Sequence, residues 1–232
     1  MADHIDAYWT LSHDAKAEQQ RILPDGCVDI ILNLGEDCYT DSGNVKIENG
    51  KTVLVGPMTR FNLTDIPSGA ALTGIRFRPG GFLNFFRFHP LSTIRDNTIT
   101  LEPACSPDLN DLVNKGLPYL DAYFSSRQEQ NRSVLGPIID DIRALNGQVK
   151  IPQLAARHFI SVKQLERKFS EQLGVTPKQF ANIIRNRAAL QAIRNKGEGT
   201  TMLDIAIGFG YYDQAHLSNE IKKFSGAAPV LH

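Results

Sequence analysis

The chain has 232 residues, of which 42% are hydrophobic and 22% charged, a balance typical of a globular protein with one or two domains. No apolar run approaches the roughly 20 residues that a membrane span needs, and residues 1–6 lack the pattern of a secretion signal. We therefore expect a cytoplasmic protein without membrane partners. Its three cysteines, Cys27, Cys38 and Cys105, form neither a disulfide framework nor a paired metal-binding motif.

The net charge of zero hides a division between the two parts of the chain. Residues 150–232 contain 12 basic and 6 acidic residues, a charge of +6, which leaves 13 basic and 19 acidic residues, a charge of −6, in residues 1–149. Such asymmetry indicates two domains with different partners, and the basic part could bind phosphates. Chance, with charges spread over solvated faces, would give the same totals.

The first part of the chain has the pattern of short strands. Residues 28–34 and 53–55 are β-branched runs, and residues 75–78 alternate apolar and charged side chains. Turn sequences such as Pro24-Asp25-Gly26 and Asp41-Ser42-Gly43-Asn44 separate them. These features predict a small antiparallel β-barrel or sandwich.

Helical signals follow the strands. We expect an apolar segment after Pro79-Gly80-Gly81 to form a helix or turn that plugs the barrel; it contains Phe82, Leu83, Phe85, Phe86 and Phe88. Apolar residues at helical spacing between 109 and 124 predict one or two helices that close this domain. The polar stretch 125–132 is the expected linker. The predicted boundaries are 1–131 for a sensor or effector domain and 132–232 for a second domain.

The second domain is predicted to be all-α, with about seven helices. A short helix over 151–160 is followed by Ser161 and, three residues later, Gln164, a capping box that predicts a new helix. In that helix, Lys163 and Arg167 project opposite the core face. A short helix, a tight turn and a capped helix with a basic outer face are typical of a helix-turn-helix unit.

The pattern occurs a second time. Thr201 and Asp204 predict the start of one helix, and Asp213 can cap the next, in the position that corresponds to Ser161. Between the units, Thr176 and Gln179 cap a helix predicted to run from Pro177 to about Lys196. Twenty residues span about 30 Å, close to the roughly 34 Å between successive major-groove faces of DNA. The alternative is an ordinary helical bundle with exposed polar faces.

At these residues the chain resembles the AraC family of transcription regulators. The family pattern appears at Leu165-Glu166-Arg167-Lys168-Phe169, Gly174-Val175-Thr176-Pro177, Ile205-Ala206, Gly210-Tyr211-Tyr212-Asp213-Gln214-Ala215-His216-Leu217 and Gly226-Ala227-Ala228-Pro229. The resemblance covers about 100 residues. It implies an α+β protein whose N-terminal domain is a cupin-like barrel or sandwich with closing helices, and whose C-terminal domain binds double-stranded DNA.

The resemblance also assigns the base-reading positions. They fall at Lys163, Glu166 and Arg167 in the first unit and at Gln214, Ala215, Ser218 and Asn219 in the second. Arginine suits guanine and glutamine suits adenine, whereas Ala215 and Asn219 shorten the reach of the second helix. The full predicted DNA-binding set is Ser161, Lys163, Gln164, Glu166, Arg167, Tyr212, Gln214, Ala215, His216, Ser218, Asn219, Lys222 and Lys223.

The N-terminal domain resembles an uncharacterised subgroup of β-rich sensor domains at residues 24–30 and 74–81. Arg76 and Arg78 are candidates for binding an anionic effector, and a solvated outer face is the alternative. His4, His13, Cys27 and Cys38 fit no metal motif, so we expect neither a metal nor a cofactor. The chain lacks catalytic motifs and is predicted not to be an enzyme.

The family resemblance implies further partners: RNA polymerase, a small-molecule effector and a second copy of the chain. The alternative function is that of a cupin-like small-molecule binding protein, or an enzyme, whose helical half serves only dimerisation.

Overall fold

The computed structural model describes residues 3–88, 90–128, 135–197 and 199–228. Nine strands occupy the N-terminal domain within this part of the chain. They are β1 Ile5–His13, β2 Glu18–Ile22, β3 Val28–Asn33, β4 Cys38–Thr40, β5 Val45–Ile47, β6 Thr52–Val55, β7 Asn62–Ile66, β8 Ala70–Phe77 and β9 Thr98–Thr100.

The strands form two antiparallel sheets that face each other. One sheet has five strands in the order β1-β8-β3-β6-β9, and the other has four in the order β2-β7-β4-β5. Pairing of β3 with β8 aligns Val28 with Phe77 and Leu32 with Thr73. The predicted strands at 28–34, 53–55 and 75–78 correspond to β3, β6 and β8, although Arg78 lies just beyond the last residue of β8. The two sheets do not close into a barrel. Of the two predicted architectures, a barrel or a sandwich, the domain is therefore the sandwich.

The aromatic segment does not plug the barrel, which corrects the prediction. Residues Phe82–Asn84 form a short 3-10 helix, and the side chains of this segment pack on the outer face of the five-stranded sheet. The rings of Phe77 and Phe82 are 5.3 Å apart, and those of Phe85 and Phe124 are 5.2 Å apart. Edge-on contacts of this kind stabilise by about 0.5–1.5 kcal/mol each beyond the area that they bury. The sheet is apolar on both faces, so this outer face needs the cover.

Two helices complete that outer layer. They are α1 Leu109–Lys115 and α2 Pro118–Arg127, and they contribute Leu112, Leu120 and Phe124 to the same core. The predicted closing helices are therefore confirmed. Because α2 continues to Arg127, the first part of the predicted linker is helical; residues 129–134 lie outside the described residues.

The C-terminal domain contains six α-helices in the described residues, against about seven predicted. They are α3 Leu135–Ala144, α4 Ile151–Arg157, α5 Val162–Gln172, α6 Pro177–Arg194, α7 Met202–Gly208 and α8 Gln214–Ser225. Their buried side chains form two clusters, one around Leu165 and Phe169 of α5 and one around Leu217 and Ile221 of α8. In the part of the chain that the structure describes, no helix is both long and apolar enough to cross a membrane.

Candidate nucleic-acid interface

The first helix-turn-helix unit consists of α4, a tight turn and α5. The hydroxyl of Ser161 accepts a hydrogen bond from the backbone N–H of Gln164 at 3.2 Å, and the Gln164 side-chain oxygen accepts one from the Ser161 N–H at 3.0 Å. This reciprocal pair is the predicted capping box, and it places the start of α5 at Val162. The turn is tied to α3 because His158 Nε2 lies 2.8 Å from a carboxylate oxygen of Asp141.

The second unit consists of α7, a turn and α8. The Asp213 carboxylate accepts a hydrogen bond from the His216 N–H at 2.7 Å, which confirms Asp213 as the cap of α8. Thr201 and Asp204 form the predicted capping box at the start of α7. The Tyr211 hydroxyl donates a 2.6 Å hydrogen bond to the buried Asn186 side-chain oxygen. The second turn is therefore tied to α6 rather than to α3.

The two turns are built on the same backbone pattern. In the first, the N–H of Ile160 donates to the carbonyl of Ala155, and in the second the N–H of Tyr211 donates to that of Ala206. The residue before each donor has a positive φ, +54° at Phe159 and +72° at Gly210. The second turn then holds one additional residue, Tyr212, before its cap. Ser161 and Asp213 nevertheless have the same role, because each is the N-cap of the helix after its turn.

The thirteen predicted DNA-binding residues lie on the surface of these units. Twelve are exposed, and Ser218 is half-buried. Within the described residues, Lys163, Arg167 and Lys222 have no ion pair or side-chain hydrogen bond, whereas Lys223 pairs with Glu220 at 2.8 Å. Unpaired cations give up no protein partner when they meet a phosphate or a base. These three side chains are therefore the best placed of the predicted cations.

Helix α6 separates the two units. Its 18 residues correspond to about 27 Å at 1.5 Å per residue, slightly less than predicted because the helix ends at Arg194, two residues before Lys196. Asn186 accepts the hydrogen bond from Tyr211, and the Arg185 guanidinium lies 4.8 Å from the centre of the Tyr211 ring. The helix is thus joined directly to the turn of the second unit.

A groove of about 830 Å³ lies beside α6, between the two units. Its lining includes Gly147–Gln153 from the first unit, Phe209 and Gly210 from the second, and the side chains of Lys150 and Lys178. Both lysines are exposed and have no ion pair with any residue that the structure describes. Sequence reasoning missed them, although both lie at predicted helix starts, Lys150 just before α4 and Lys178 just after Pro177 at the start of α6.

The N-terminal domain packs against parts of the helical domain that do not carry the predicted base-reading residues. The Arg187 guanidinium donates a 3.2 Å hydrogen bond to the carbonyl of Pro24, and Leu23 joins the apolar cluster of the second unit. Gly26, with φ +78°, lies so close to the Phe180 ring that a Cβ atom there would be 2.5 Å from it. The loop 23–27 therefore rests on α6 and leaves the predicted base-reading residues uncovered.

Two further contacts fix the same arrangement. Pro57 and the backbone of Leu91 lie against Gly174, just after α5, and the Phe61 ring lies against Gly226, just after α8. Both recognition helices are therefore touched at their C-terminal ends by the N-terminal domain. In helix-turn-helix complexes, the N-terminal residues of the recognition helix reach the bases, and these remain free here.

A cavity of about 290 Å³ lies between the two sheets. Its walls are mainly apolar and include Trp9, Leu11, Ile22, Ile31, Val55 and Leu72. Of the two predicted effector-binding arginines, Arg76 lines this cavity, and its guanidinium pairs with Asp25 and Asp29. Arg78 is exposed, pairs with Asp6 at 3.5 Å, and does not line the cavity. The structure thus separates two arginines that sequence analysis had grouped.

The buried acid Asp29 is the main titratable group of that cavity. Burial raises the pKa of its carboxyl to about 6, and a hydrogen bond from Trp9 Nε1 at 3.2 Å opposes the rise. Burial also raises the pKa of the Cys27 thiol to about 12, so this thiol is not a reactive thiolate. Among the described residues, no group of three acidic, histidine or cysteine side chains could hold a metal ion.

Comparisons with known proteins agree with this architecture. Residues 154–230 match a family described as a helix-turn-helix domain, and residues 1–100 match one described as a domain of unknown function (DUF6597). No curated protein matches the chain in sequence.

Two solved structures of ToxT share the fold, and a third structure is similar over a smaller part of the chain. ToxT from Vibrio cholerae is 11% identical, with a TM-score of 0.54 over 96% of this chain and 95% of that one. ToxT from strain SCE256, bound to an unsaturated fatty acid, is 12% identical, with a TM-score of 0.51 over 96% and 91%. A transcriptional regulator from Chromobacterium violaceum with an AraC-type DNA-binding domain is 21% identical over 41% of this chain and 85% of that one, with a TM-score of 0.38.

Proposed function

We propose that this chain is a transcription regulator of the AraC type and that its two helix-turn-helix units read neighbouring major-groove segments of one DNA duplex. The observation that carries the proposal is the pair of corresponding turns, each followed by a capped helix with exposed polar side chains. Helix α6, about 27 Å long, separates them by nearly one turn of DNA. No catalytic step is part of the proposed function.

The proposed roles differ along each recognition helix. Arg167 would bind guanine through O6 and N7, and Gln214 would pair with adenine. Lys163 and Lys222 would contact phosphates, as would Lys150 and Lys178 at the groove between the units. Their support is exposure together with the lack of a partner among the described residues.

A salt series tests the phosphate contacts. We expect binding of the full chain to a nonspecific duplex to weaken as salt rises, with a slope of log K on log salt that falls by about 0.9 for each phosphate contact removed. Lys163→Ala should lower that slope, whereas the control Lys51→Ala, which removes an exposed lysine from the N-terminal domain, should not. A chain that does not bind DNA at all would support the dimerisation alternative.

Selection of bound DNA from a pool of random duplexes tests whether both helix-turn-helix units recognise sequence. The expected site has two specified segments whose centres lie about 10 base pairs apart, one helical turn. A single specified segment would show that only one unit reads sequence, which contradicts the proposal.

We further propose that an effector binds in the cavity between the sheets. The support is a mainly apolar cavity with a few polar groups, typical of small-molecule sites, and the fold shared with ToxT, which has been solved with a bound unsaturated fatty acid. The loop 23–27 offers a route to the DNA-binding domain. Asp25 pairs with the cavity residue Arg76, and two residues of the same loop, Pro24 and Gly26, touch α6.

The proposed link through the loop 23–27 can be tested directly. Arg187→Ala removes the hydrogen bond to the Pro24 carbonyl and should alter DNA affinity in the absence of any effector, since it loosens the loop from α6. Arg194→Ala, an exposed arginine on the same helix, is the control for lost charge. Equal effects of the two variants would show that charge, not the loop contact, matters.

RNA polymerase and a second copy of the chain are proposed as protein partners, on the family resemblance. Transcription in a reconstituted system from the selected site would show activation or repression. Sedimentation of the chain with and without that site would give its oligomeric state.

A further inference from the structure

The charged groups of the cavity between the sheets are grouped around Arg76. Its guanidinium is flanked by two carboxylates, those of Asp25 and Asp29. Two carboxylates thus share one guanidinium at contact distance, and Arg187 adds a positive charge at longer range. Asp6, close by, is balanced by its pair with Arg78.

Asp29 is also short of close hydrogen bonds. Its carboxylate oxygens lie 3.4 and 3.5 Å from Arg76 Nη1 and 3.2 Å from Trp9 Nε1. Hydrogen bonds from N–H to oxygen are usually 2.7–3.2 Å long, and those to a charged acceptor are shorter still. The carboxylate therefore retains capacity for a closer donor, and it lines the cavity.

The other polar groups of the cavity wall already have partners. Thr40 and Thr64 hydrogen bond to each other at 3.0 Å, and the Asn62 side-chain oxygen accepts the Asp41 N–H at 2.7 Å. The Gln20 side chain donates to Glu18. Each of these groups thus has at least one partner, and among the wall residues that the structure describes Asp29 is the one acid, the group suited to bind a cation.

The volume of the cavity limits the ligand size. A volume of about 290 Å³ lies at the small end of the roughly 300–1,000 Å³ typical of small-molecule sites, which favours a small ligand. The ring of Trp9 and the side chains of Ile31 and Leu72 would surround an apolar body of that size.

We propose that this cavity binds a small hydrophobic amine, with its ammonium group on Asp29 and its apolar body between the sheets. The proposal rests on the effector site of the proposed function and names its ligand class. A carboxylate head would be repelled by the Asp29 carboxylate, and its natural partner Arg76 is held by Asp25. A neutral head would form a weaker hydrogen bond to Asp29 than an ammonium does.

Three probes with the same aromatic body distinguish the head groups: 2-phenylethylamine, phenylacetate and 2-phenylethanol. Binding to the full chain is measured by calorimetry at pH 8 without DNA, where the amine is protonated and Asp29 is ionised. We expect the amine to bind at least 10-fold more tightly than phenylacetate and more tightly than the alcohol. Tighter binding of phenylacetate, equal binding of all three, or no binding at millimolar concentration would each overturn the proposal.

Two matched variants locate the site. Asp29→Asn should reduce the preference for the amine over the alcohol to about 1-fold, whereas Asp65→Asn, which changes an acid on β7 outside the cavity wall, should leave it unchanged. If Asp29→Asn does not fold, Leu72→Trp supplies the second test, because it fills the cavity and should weaken all three probes. An amine preference that survives in Asp29→Asn, or amine binding that is not weakened in Leu72→Trp, contradicts the site.

The outcome is separable from the DNA-binding proposal. Loss of amine binding in a chain that still binds DNA with the expected salt slope refutes the ligand class alone. Amine binding by a chain that binds no DNA refutes the regulator function alone.

Discussion

The two helix-turn-helix units share a backbone but differ in how their turns are held and in what their recognition helices present. The first turn is anchored to α3 by a part-buried contact between His158 and Asp141, and it carries Phe159, 96% exposed, at a positive φ. The second is anchored by a buried hydrogen bond to α6 and has a glycine at that position. The same backbone geometry is thus maintained by different local interactions in the two units.

The outer faces differ in charge as well. The first half of α5 presents Lys163 and Arg167 without partners among the described residues, whereas the first half of α8 presents the neutral Gln214, Ala215 and Asn219. Charged and bidentate donors discriminate bases more strongly than short neutral side chains do. The first unit should therefore supply more of the sequence specificity than the second.

The largest expected effect tests that division directly. Arg167→Ala should cost about 1–3 kcal/mol of affinity for the selected site and relax its specificity at one base pair, because it removes a bidentate donor. Asn219→Ala, at the surface of the second recognition helix, should cost less than 1 kcal/mol, near the low end of a single contact. Titration of labelled duplexes measures both. A larger loss in Asn219→Ala would reverse the comparison.

The anchor of the second turn gives the next effect. Tyr211→Phe leaves the buried Asn186 oxygen without its donor and should lower the free energy of unfolding by about 1–3 kcal/mol. Urea denaturation of the full chain measures this loss. In the first unit, Ile160→Val changes the corresponding residue without removing a hydrogen bond and serves as the control. Equal stability of Tyr211→Phe and the parent chain would show that the hydrogen bond is dispensable.

Backbone conformation at the second turn predicts a smaller effect. Gly210→Ala places a Cβ at φ +72°, 3.2 Å from the Gln148 side-chain oxygen, and should destabilise the chain by about 1–2 kcal/mol, the cost of a left-handed conformation for a residue with a side chain. Thermal unfolding measures the change. Gly208→Ala, where a Cβ would meet nothing within 4 Å, is the matched control. Similar losses in both would attribute the effect to something other than backbone strain.

The smallest effect is the reverse substitution in the first turn. Phe159→Gly removes the side-chain penalty at φ +54°, but glycine loses about 0.5–1 kcal/mol more conformational entropy on folding. We expect a net gain of less than 1 kcal/mol, measured in urea alongside Phe159→Ala, which keeps a Cβ and should show no gain. A lower free energy of unfolding in Phe159→Gly than in the parent chain would indicate that the Phe159 ring makes a stabilising contact.

Much of the helical domain could be predicted because its signals are local. The caps at Ser161, Thr176, Thr201 and Asp213 act within three residues of themselves, and all four form the expected hydrogen bonds. The apolar spacing within each helix likewise identified its core face, as at Leu217, Ile221 and Phe224. The exposure of the predicted DNA-binding residues follows from the same periodicity, since an outward face is the complement of an inward one.

The failures have a common cause, which is long-range contact. The aromatic segment after Pro79 was expected inside the barrel, but its partner is Phe124, about forty residues further along the chain, on the outer face of the sheet. Arg76 and Arg78 seemed equivalent in the strand pattern. The ion pairs with Asp25 and Asp29, on a loop and a neighbouring strand, separated them.

The sequence by itself determined where the capped helices of the second domain begin, which of their faces are polar, and the family to which that pattern is similar, because capping and periodicity depend on residues a few positions apart. Only the tertiary structure decided that the loop 23–27 rests on α6, that Arg76 and not Arg78 lines a cavity, and that the N-terminal domain leaves the predicted reading residues open. These depend on residues far apart in the chain, such as Pro24 and Arg187, which are 163 positions apart, and no local pattern encodes which distant surfaces will meet.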